Sequence, residues 1–273
     1  MLTKNQLISG LQNLGITHGD VVLIHSDLRG FGWPEGLKNR KEMLNFYLEA
    51  LQEVVGANGT LAVPAYFYEY ARFGESFDVD KSPVSTPLGT FSAWFCTLPN
   101  RVRSCNPLQS IAAIGPQAEA LCGGTSLSGY GALSPWHHLR QMNGKILFLG
   151  APLQSMTYVH YIEQQYGVPH LYFKTYHIPV IKGGHPLNKP VVSAVRYLDY
   201  KIEYDLSPYE THLEQEKLLH AVKINEVYLK LVTAEDAFQC GIVQLDKNPY
   251  FFLKHPPAFV PGKIPTDGVT GPL

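Results

Sequence analysis

Short apolar runs alternate with longer amphipathic stretches through the first two thirds of the chain. Leucine and isoleucine recur at helical spacing over residues 7–14, and Thr3 precedes them as a cap, which predicts a first helix that ends at Gly15. The apolar run at residues 20–25 is too short for a helix and rich in β-branched residues. It therefore predicts a strand buried on both faces, as in parallel sheets.

The same alternation continues along the chain. The further predictions are a helix at 40–55, a strand at 60–64, a loop at 74–89, a helix at 89–95, strands at 110–115 and 145–150, and a helix at 155–166. A loop as long as that at 74–89 is usually functional or mobile. Strands that alternate with helices favour an α/β/α sandwich with a largely parallel central sheet.

The texture changes after residue 167, where glycine and proline become frequent and an alternating stretch follows. This pattern predicts antiparallel hairpins in a smaller β-rich lobe at about 167–207, appended to a single α/β domain of residues 1–273. A helix at about 209–219 and a final section of strands and turns should follow. The last dozen residues, rich in proline and including Pro265 and Pro272, are expected to wrap the surface.

Composition and charge exclude several classes of protein. The chain has 45% hydrophobic residues, and 22 Lys and Arg against 23 Asp and Glu leave a net charge of -1. Without a basic excess it lacks the electrostatic footprint of a nucleic-acid-binding protein. It also has neither an apolar run of membrane-spanning length nor a leader pattern, so we expect a cytoplasmic protein without a membrane partner.

Motifs for the common cofactors and metals are missing from the sequence. It has no glycine-rich dinucleotide or phosphate loop, no nucleophile elbow and no HExxH, and its four cysteines show no ligand spacing, so we expect no metal. The most informative pair is His160 and Glu163, which share one face of the helix predicted after a buried strand. A carboxylate beside an imidazole can hold it in one tautomer, which suits a general base.

Several short motifs follow one another between residues 17 and 257. They are His25-Ser26-Asp27-Leu28, Pro87-Leu-Gly89, the segment from Arg103 to Pro116, Gly131-Ala-Leu-Ser-Pro135, Gly144-Lys-Ile-Leu-Phe-Leu-Gly150, Thr157-Tyr-Val-His160 with Glu163, and His255-Pro-Pro257. In this order they resemble the aminoglycoside 3-N-acetyltransferase family. That family transfers an acetyl group from acetyl-CoA to a sugar amine on an α/β/α sandwich.

The resemblance implies roles for particular residues. It implies that the CoA arm is lined by Ser26, Asp27 and Leu28, and that its phosphates lie near Arg103, Ser104 and Ser110. It also implies that His160 is the catalytic histidine, that Glu163 lies in the substrate cleft, and that an acidic residue of a later strand, either Glu203 or Asp205, pairs with His160. We assign Tyr66 and Tyr158 to the acceptor side, where aromatic rings can stack on a sugar or base.

Two segments depart from the family pattern. Ser26-Asp27 stands where the family usually has two serines, and an aspartate would repel a pyrophosphate unless it is turned away. Asn106-Pro-Leu-Gln-Ser110 replaces the usual His-Pro-Thr-His-Ser. These departures predict altered details of CoA recognition, and acyl-CoA donors other than acetyl-CoA remain open.

The charge of the predicted lobe bears on the acceptor. Its excess of lysine and arginine, including Arg196, favours an amino sugar carried on a nucleotide diphosphate, such as a dTDP-linked sugar for surface polysaccharide synthesis. The alternative acceptor is an aminoglycoside antibiotic, which is a polycation. Two further hypotheses assign the protein to other functional classes: a metal-dependent hydrolase, and a non-catalytic module that binds CoA or sugar. A homodimer is left open.

Overall fold

The computed structural model of the protein describes residues 2–262, so Pro265 and Pro272 of the expected surface tail lie outside the described residues. Its strands are β1 (Val21–Ser26), β2 (Thr60–Pro64), β3 (Phe77–Asp78), β4 (Val102–Arg103), β5 (Ile111–Ile114), β6 (Lys145–Leu149), β7 (Leu171–Tyr176), β8 (Val180–Lys182), β9 (His185–Pro186), β10 (Val191–Arg196), β11 (His220–Ile224) and β12 (Val227–Thr233). Its helices are α1 (Lys4–Asn13), α2 (Arg40–Val55), α3 (Glu69–Phe73), α4 (Gly89–Phe95), α5 (Ala118–Cys122), α6 (Pro135–Gln141), α7 (Tyr158–Tyr166), α8 (Ser207–Gln215) and α9 (Ala234–Lys247).

A central sheet organises the described part of the chain. Its seven strands lie in the order β11-β12-β6-β1-β2-β5-β4. The middle strands β6, β1 and β2 run parallel, as their apolar runs predict, whereas β12 and β5 join them antiparallel on either side. None of the described helices is long and apolar enough to cross a bilayer.

Both faces of the sheet are covered by helices. Val21 and Leu23 of β1 face a core built with α5 to α9, while Val22 and Ile24 face a second core built with α1, α2 and α4. Successive side chains of a strand point to opposite faces, so an uninterrupted apolar run can serve both cores. The predicted α/β/α sandwich is therefore confirmed.

The first helix begins as the sequence indicates. The Thr3 side chain accepts a hydrogen bond from the backbone N–H of Gln6 at 3.3 Å, and the Gln6 side chain accepts one from the backbone N–H of Thr3 at 2.9 Å. This reciprocal capping box satisfies two of the backbone donors that every helix start leaves open.

The predicted lobe contains the expected antiparallel strands. β7 and β10 pair along their whole length, and β8 and β9 form a short hairpin. The long loop after Gly74 contributes β3, which pairs in parallel with β8 through Phe77 and Val180. Phe67, Phe77 and Val191 share a small core of their own. The lobe is thus tied to the main body by pairing and by packing.

The end of the described chain differs from expectation. After the hairpin β11–β12 the chain forms α9, a helix of 14 residues, where strands and turns were predicted. Thr233 caps it by accepting from the backbone N–H of Asp236 at 3.0 Å. The buried face of α9 includes Ala234, Ala237 and Gly241. Cys240 and Leu245 extend this face, so the apolar spacing of α9 is that of an amphipathic helix and the prediction of strands and turns is wrong.

Candidate active site

Helix α7 holds the strongest candidate for catalysis. It follows the buried strand β6 and packs its fully buried residues Tyr161 and Ile162 into the core. His160 lies between these buried positions and the solvent, with 34% of its side chain exposed. An imidazole on a rigid and well-packed helix is held in place, yet it remains accessible to a substrate.

The His160 ring is bound to a carboxylate that has no contact with solvent. Nδ1 of His160 lies 2.8 Å from Oε2 of Glu163, whose side chain is fully buried. The other oxygen of that carboxylate, Oε1, lies 2.8 Å from Nε2 of His170, which is also fully buried. Glu163 therefore bridges two histidines, one at the surface and one in the interior.

A tyrosine completes the surroundings of Glu163. The hydroxyl of Tyr204 donates a hydrogen bond to Oε2 of Glu163 at 3.0 Å. The Tyr204 ring meets the His160 ring edge-on with 4.8 Å between centroids, and the Tyr130 ring lies 6.3 Å from His160. The carboxylate and the imidazole are thus fixed from more than one side.

The hydrogen bonds decide the charge of this carboxylate. Burial by itself raises the pKa of Glu163, but the hydrogen bonds from His160 and His170 outweigh it and leave the pKa below its ordinary value. Glu163 is consequently an anion at neutral pH. Burial, and then the neighbouring Glu163, raise the pKa of Tyr204 well above its ordinary value, so this phenol stays protonated and can donate.

This geometry assigns the tautomer of His160. Glu163 can only accept at Nδ1, which places the proton there and leaves Nε2 with a lone pair. Nε2 has no hydrogen-bond partner in the part of the chain that the structure describes. Such a ring can take a proton from a substrate, and the resulting imidazolium would be stabilised by the anion beside it.

The structure does not pair His160 with either of the acids expected from the later strand. Glu203 is 66% exposed and lies 3.3 Å from the Lys254 ammonium, and Asp205 accepts from the backbone N–H of Ser207 at 3.0 Å. The residue between them, Tyr204, turns inward instead. In extended backbone alternate side chains face opposite ways, so the neighbours of an inward residue face outward.

Arg103 also differs from its expected role at the CoA phosphates. The side chain is buried, and its Nε donates to the carbonyl of Ala65 at 3.1 Å while Nη1 donates to that of Ser82 at 2.5 Å. Its guanidinium lies 4.7 Å from the centre of the Phe77 ring. Burial lowers the pKa of Arg103 to about 10, which leaves it cationic at neutral pH. These contacts fasten the loop after β2.

The two serines expected beside Arg103 are likewise used inside the protein. The Ser110 hydroxyl donates to the carbonyl of Ala65 at 2.6 Å, and the Ser104 hydroxyl accepts from the backbone N–H of Ile111 at 3.0 Å. Both side chains are buried. Both hydroxyls are therefore engaged in holding the fold together in this segment.

The departures in the same segment serve the lobe. The Asn106 amide donates to the carbonyl of Leu127 at 2.9 Å, and the Gln109 side-chain oxygen accepts from the Ser193 hydroxyl of β10 at 2.9 Å. All three polar side chains are buried. The residues that replace the family's usual histidines thus tie β10 to the main body.

The segment at the end of β1 stays open to the solvent. Ser26 forms an isolated antiparallel β-bridge with Gly150. The Asp27 carboxylate accepts two hydrogen bonds from the Arg29 guanidinium, from Nε at 2.9 Å and from Nη2 at 2.6 Å. These hydrogen bonds keep the pKa of Asp27 below its ordinary value. The arginine offsets the negative charge that would repel a pyrophosphate. Leu28 packs at the edge of the second core.

Neither tyrosine assigned to the acceptor side is accessible. Tyr158 is 0% and Tyr66 is 2% exposed. Both rings pack against Trp136, each with 6.4 Å between ring centroids. Both rings belong to the core on that face of the sheet, so an acceptor cannot stack on them. Aromatic residues directly after a strand and at a helix start are also typical of a core, which explains the wrong assignment.

Two residues of the site were not predicted. His170 follows α7 and Tyr204 lies between the two expected acids, so each reaches Glu163 through the tertiary fold. Within residues 2–262 no group of three or more His, Cys, Asp or Glu side chains could hold a metal ion.

Comparison with known proteins shows the same architecture in enzymes of one kind. A family model described as aminoglycoside 3-N-acetyltransferase matches residues 23–246. The chain is 31% identical over 266 residues to aminoglycoside N(3)-acetyltransferase IV of Salmonella sp, and the match covers 93% of this chain and 91% of that protein.

Solved structures agree with this similarity. A mutant of aminoglycoside acetyltransferase AAC(3)-IVa in complex with a gentamicin matches with a TM-score of 0.75 and 28% identity, covering 94% of this chain and 93% of that one. The AAC-IIIb binary complex with CoASH matches with a TM-score of 0.76 and 23% identity, covering 94% and 99%, which shows the shared fold.

These relatives support the aminoglycoside alternative and give no support to a nucleotide-linked amino sugar. Part of the basic excess that favoured a diphosphate is used within the protein. Arg196 donates to the carbonyl of Ile202 at 3.2 Å, and the Lys182 ammonium bonds the carbonyl of Gly123. Because the family model spans residues 23–246 and the Salmonella enzyme aligns over nearly all of the chain, this protein belongs to the aminoglycoside 3-N-acetyltransferase family.

Proposed function

We propose that the protein transfers an acetyl group from acetyl-CoA to an amine of an aminoglycoside, with His160 as the general base. The observation that carries this proposal is the accessible His160 ring, which is fixed through Nδ1 by a buried anionic Glu163 and has a free lone pair at Nε2. Family membership supports the reaction class, and the relative in complex with a gentamicin supports the acceptor class.

The chemistry requires a base because an ammonium group cannot attack a thioester. An acceptor that arrives as an ammonium first loses one proton to solvent; Nε2 of His160 then takes a second proton from the amine as the amine nitrogen bonds to the thioester carbonyl carbon. When the tetrahedral intermediate collapses, the C–S bond breaks and the CoA thiolate leaves. The proton held at Nε2 then passes to that thiolate, which restores the neutral imidazole.

Glu163 stabilises the charged form of the base during this cycle. The imidazolium formed at His160 lies 2.8 Å from the carboxylate, and the pair has no net charge after proton transfer. Because the carboxylate is fully buried and the His160 side chain is 34% exposed, water screens this attraction only in part. The same anion also favours a cationic acceptor near the ring, as an aminoglycoside is.

The cosubstrate is assigned to the end of β1. Ser26, Asp27 and Leu28 form the part of the expected CoA site that remains partly exposed to solvent. The Asp27–Arg29 pair presents a 91% exposed guanidinium there. A planar guanidinium is well suited to bind phosphate oxygens, so we assign Arg29 to the CoA pyrophosphate.

The test is a thiol-release assay on the purified protein with acetyl-CoA and gentamicin. We expect release that depends on gentamicin, and a kcat for His160→Ala lower by about 10²- to 10⁴-fold while calorimetry still detects acetyl-CoA binding. His18→Ala is the matched control, since His18 is exposed and lies beside Gly56, away from α7.

Two results would contradict the proposal. Wild-type protein that releases no thiol with gentamicin would refute the acceptor class. A His160→Ala variant as active as His18→Ala would refute the assigned base.

A further inference from the structure

His170 is a buried histidine that the proposed reaction does not use directly. Its side chain is 0% exposed, so it cannot touch a substrate in the cleft. Nevertheless its Nε2 lies 2.8 Å from Oε1 of Glu163, the carboxylate oxygen that His160 does not contact. The two oxygens of one carboxylate are thus divided between an accessible and a buried imidazole.

The hydrogen-bond partners fix the protonation of the buried ring. Nε2 must carry a proton in order to donate to the anionic carboxylate. Nδ1 of His170 is buried and has no hydrogen-bond partner within residues 2–262, so a second proton there would be a buried donor without an acceptor. The arrangement therefore favours a neutral His170 with its proton at Nε2.

We propose that His170 is a positioning residue, which holds Oε1 of Glu163 through its Nε2–H and so keeps Oε2 directed at Nδ1 of His160. The inference rests on the proposed function. It adds a residue that acts through Glu163 and has no contact with either substrate. Without this donor, Oε1 would be a buried acceptor with no partner, and the carboxylate could turn away from His160.

The neutrality of His170 matters for the charge of the site. A cationic His170 would already neutralise Glu163 and would repel the positive charge that His160 acquires. A neutral His170 orients the carboxylate and leaves its full charge for the imidazolium of His160. His170 thus fixes the orientation of the Glu163 carboxylate without neutralising its negative charge.

Other titratable groups surround the pair without duplicating this role. Tyr204 donates to Oε2 of Glu163, Tyr130 lies within electrostatic range of Glu163, and Tyr250 packs its ring 5.9 Å from that of His170. The positive charge of Arg196 partly offsets the rise in the pKa of Tyr204. Among these contacts, only His170 donates to Oε1.

The turn after α7 brings His170 back to the side chain of Glu163. Gly167 ends the helix in the left-handed conformation, with φ 84° and ψ 48°. The backbone carbonyl of Glu163 accepts from the N–H of Gly167 at 2.9 Å and of Val168 at 3.3 Å. The chain therefore reverses around Glu163 and returns His170 to the side chain of the same residue.

The test compares two substitutions that differ in a hydrogen-bond donor. The His170→Gln amide can reach toward the place of Nε2 and donate, whereas His170→Leu has no donor. We expect His170→Gln to keep kcat within about fivefold of the wild type and His170→Leu to lower it by about 10- to 100-fold. KM for gentamicin and acetyl-CoA should change by less than about threefold in both.

The pH profile separates positioning from general damage. Loss of the His170 hydrogen bond removes one of the contacts that lower the pKa of Glu163. The acid limb of kcat against pH should therefore shift in His170→Leu and stay in place in His170→Gln. Equal profiles and equal kcat in wild type and His170→Leu would overturn the proposal.

A direct measurement on the wild-type protein does not depend on activity. Nitrogen-15 NMR of histidine-labelled wild-type protein, with His170→Gln for assignment, should show His170 protonated at Nε2 and unprotonated at Nδ1 at the pH of the activity assay. A cationic ring or a proton at Nδ1 would refute the inference. If the wild type instead released no thiol with gentamicin, the proposed function would fail, while the NMR result would still decide the tautomer.

Discussion

Tyr204 donates its hydroxyl to Oε2 of Glu163 at 3.0 Å, the same oxygen that accepts from Nδ1 of His160 at 2.8 Å. One carboxylate oxygen thus serves both a phenol and the proposed base. Because the phenol stays protonated, it stabilises the anion without competing for the proton that His160 exchanges. Tyr204 therefore contributes to the charge state of the site, although it follows α7 by a long stretch of chain.

Removal of this phenol should weaken catalysis without abolishing it. We expect Tyr204→Phe to lower kcat by about tenfold, since a hydrogen bond to a charged group contributes roughly 1.5–3 kcal/mol and part of it persists through His160 and His170. The thiol-release assay measures the effect. Glu203→Gln is the matched control, because Glu203 is 66% exposed and should leave kcat unchanged. A larger loss in Glu203→Gln than in Tyr204→Phe would contradict the structural assignment.

Arg103 should matter for stability rather than for CoA. A lysine at this position cannot reproduce the planar donors that reach the carbonyls of Ala65 and Ser82. We expect Arg103→Lys to lower the free energy of unfolding by about 3 kcal/mol, measured in urea, because buried carbonyls lose their donors. KM for acetyl-CoA should remain within twofold or so of the wild type where the variant is folded. A large rise in KM at unchanged stability would restore the phosphate role.

The Asp27–Arg29 pair should tune the affinity for the cosubstrate. Asp27→Ser removes an acid from the assigned CoA site and releases the Arg29 guanidinium. We expect KM for acetyl-CoA to fall by about two- to fivefold, the scale of an exposed ion pair, and to rise by a similar factor in Arg29→Ala. Both effects should shrink as salt is added. Changes in the same direction for the two variants would show that their charges do not act on CoA.

The buried His25 should make the protein less stable in mild acid. Burial lowers the pKa of His25 to about 4, whereas histidine in the unfolded chain titrates near 6.5, so between these values only the unfolded chain binds the proton. The free energy of unfolding should thus fall by about 1.4 kcal/mol per pH unit as pH decreases from about 6.5 to about 4. Urea titrations should show a shallower decline in His25→Leu.

The exposed His18 provides the comparison for that measurement. His18→Leu should keep the decline of the wild type, because it removes an exposed histidine and leaves the buried His25 in place. If His25→Leu declined as steeply as His18→Leu, the acid sensitivity would belong to other groups.

The spacing of residues in the sequence predicts part of the site. His160 and Glu163 are close because residues three apart share a helix face, and that relationship needs only the prediction of α7. His170 lies beyond a left-handed glycine, and Tyr204 approaches from a segment that bridges to Leu253. Contacts of these two kinds depend on a chain reversal and on tertiary packing, which no sequence spacing specifies.

The same distinction explains the errors in residue roles. Ser104, Ser110 and Arg103 stand in a family motif, but a motif does not tell whether a polar group faces a ligand or a neighbouring carbonyl. Burial decides this, and in the structure all three are buried and bonded within the protein. For α9 both the cap at Thr233 and the helical spacing of its buried residues are signals in the sequence, so this helix was predictable from local pattern.

Gly167 has no functional group, yet the turn that it forms brings the side chains of Glu163 and His170 together. A residue with a Cβ at its left-handed φ of 84° would be strained by about 1–2 kcal/mol, even though no atom would obstruct that Cβ within 4 Å. A search for this active site in other chains by its polar side chains alone would omit the position on which their spacing depends. An engineer who grafts the site onto another scaffold must transfer the helix stop together with the acid and the two histidines.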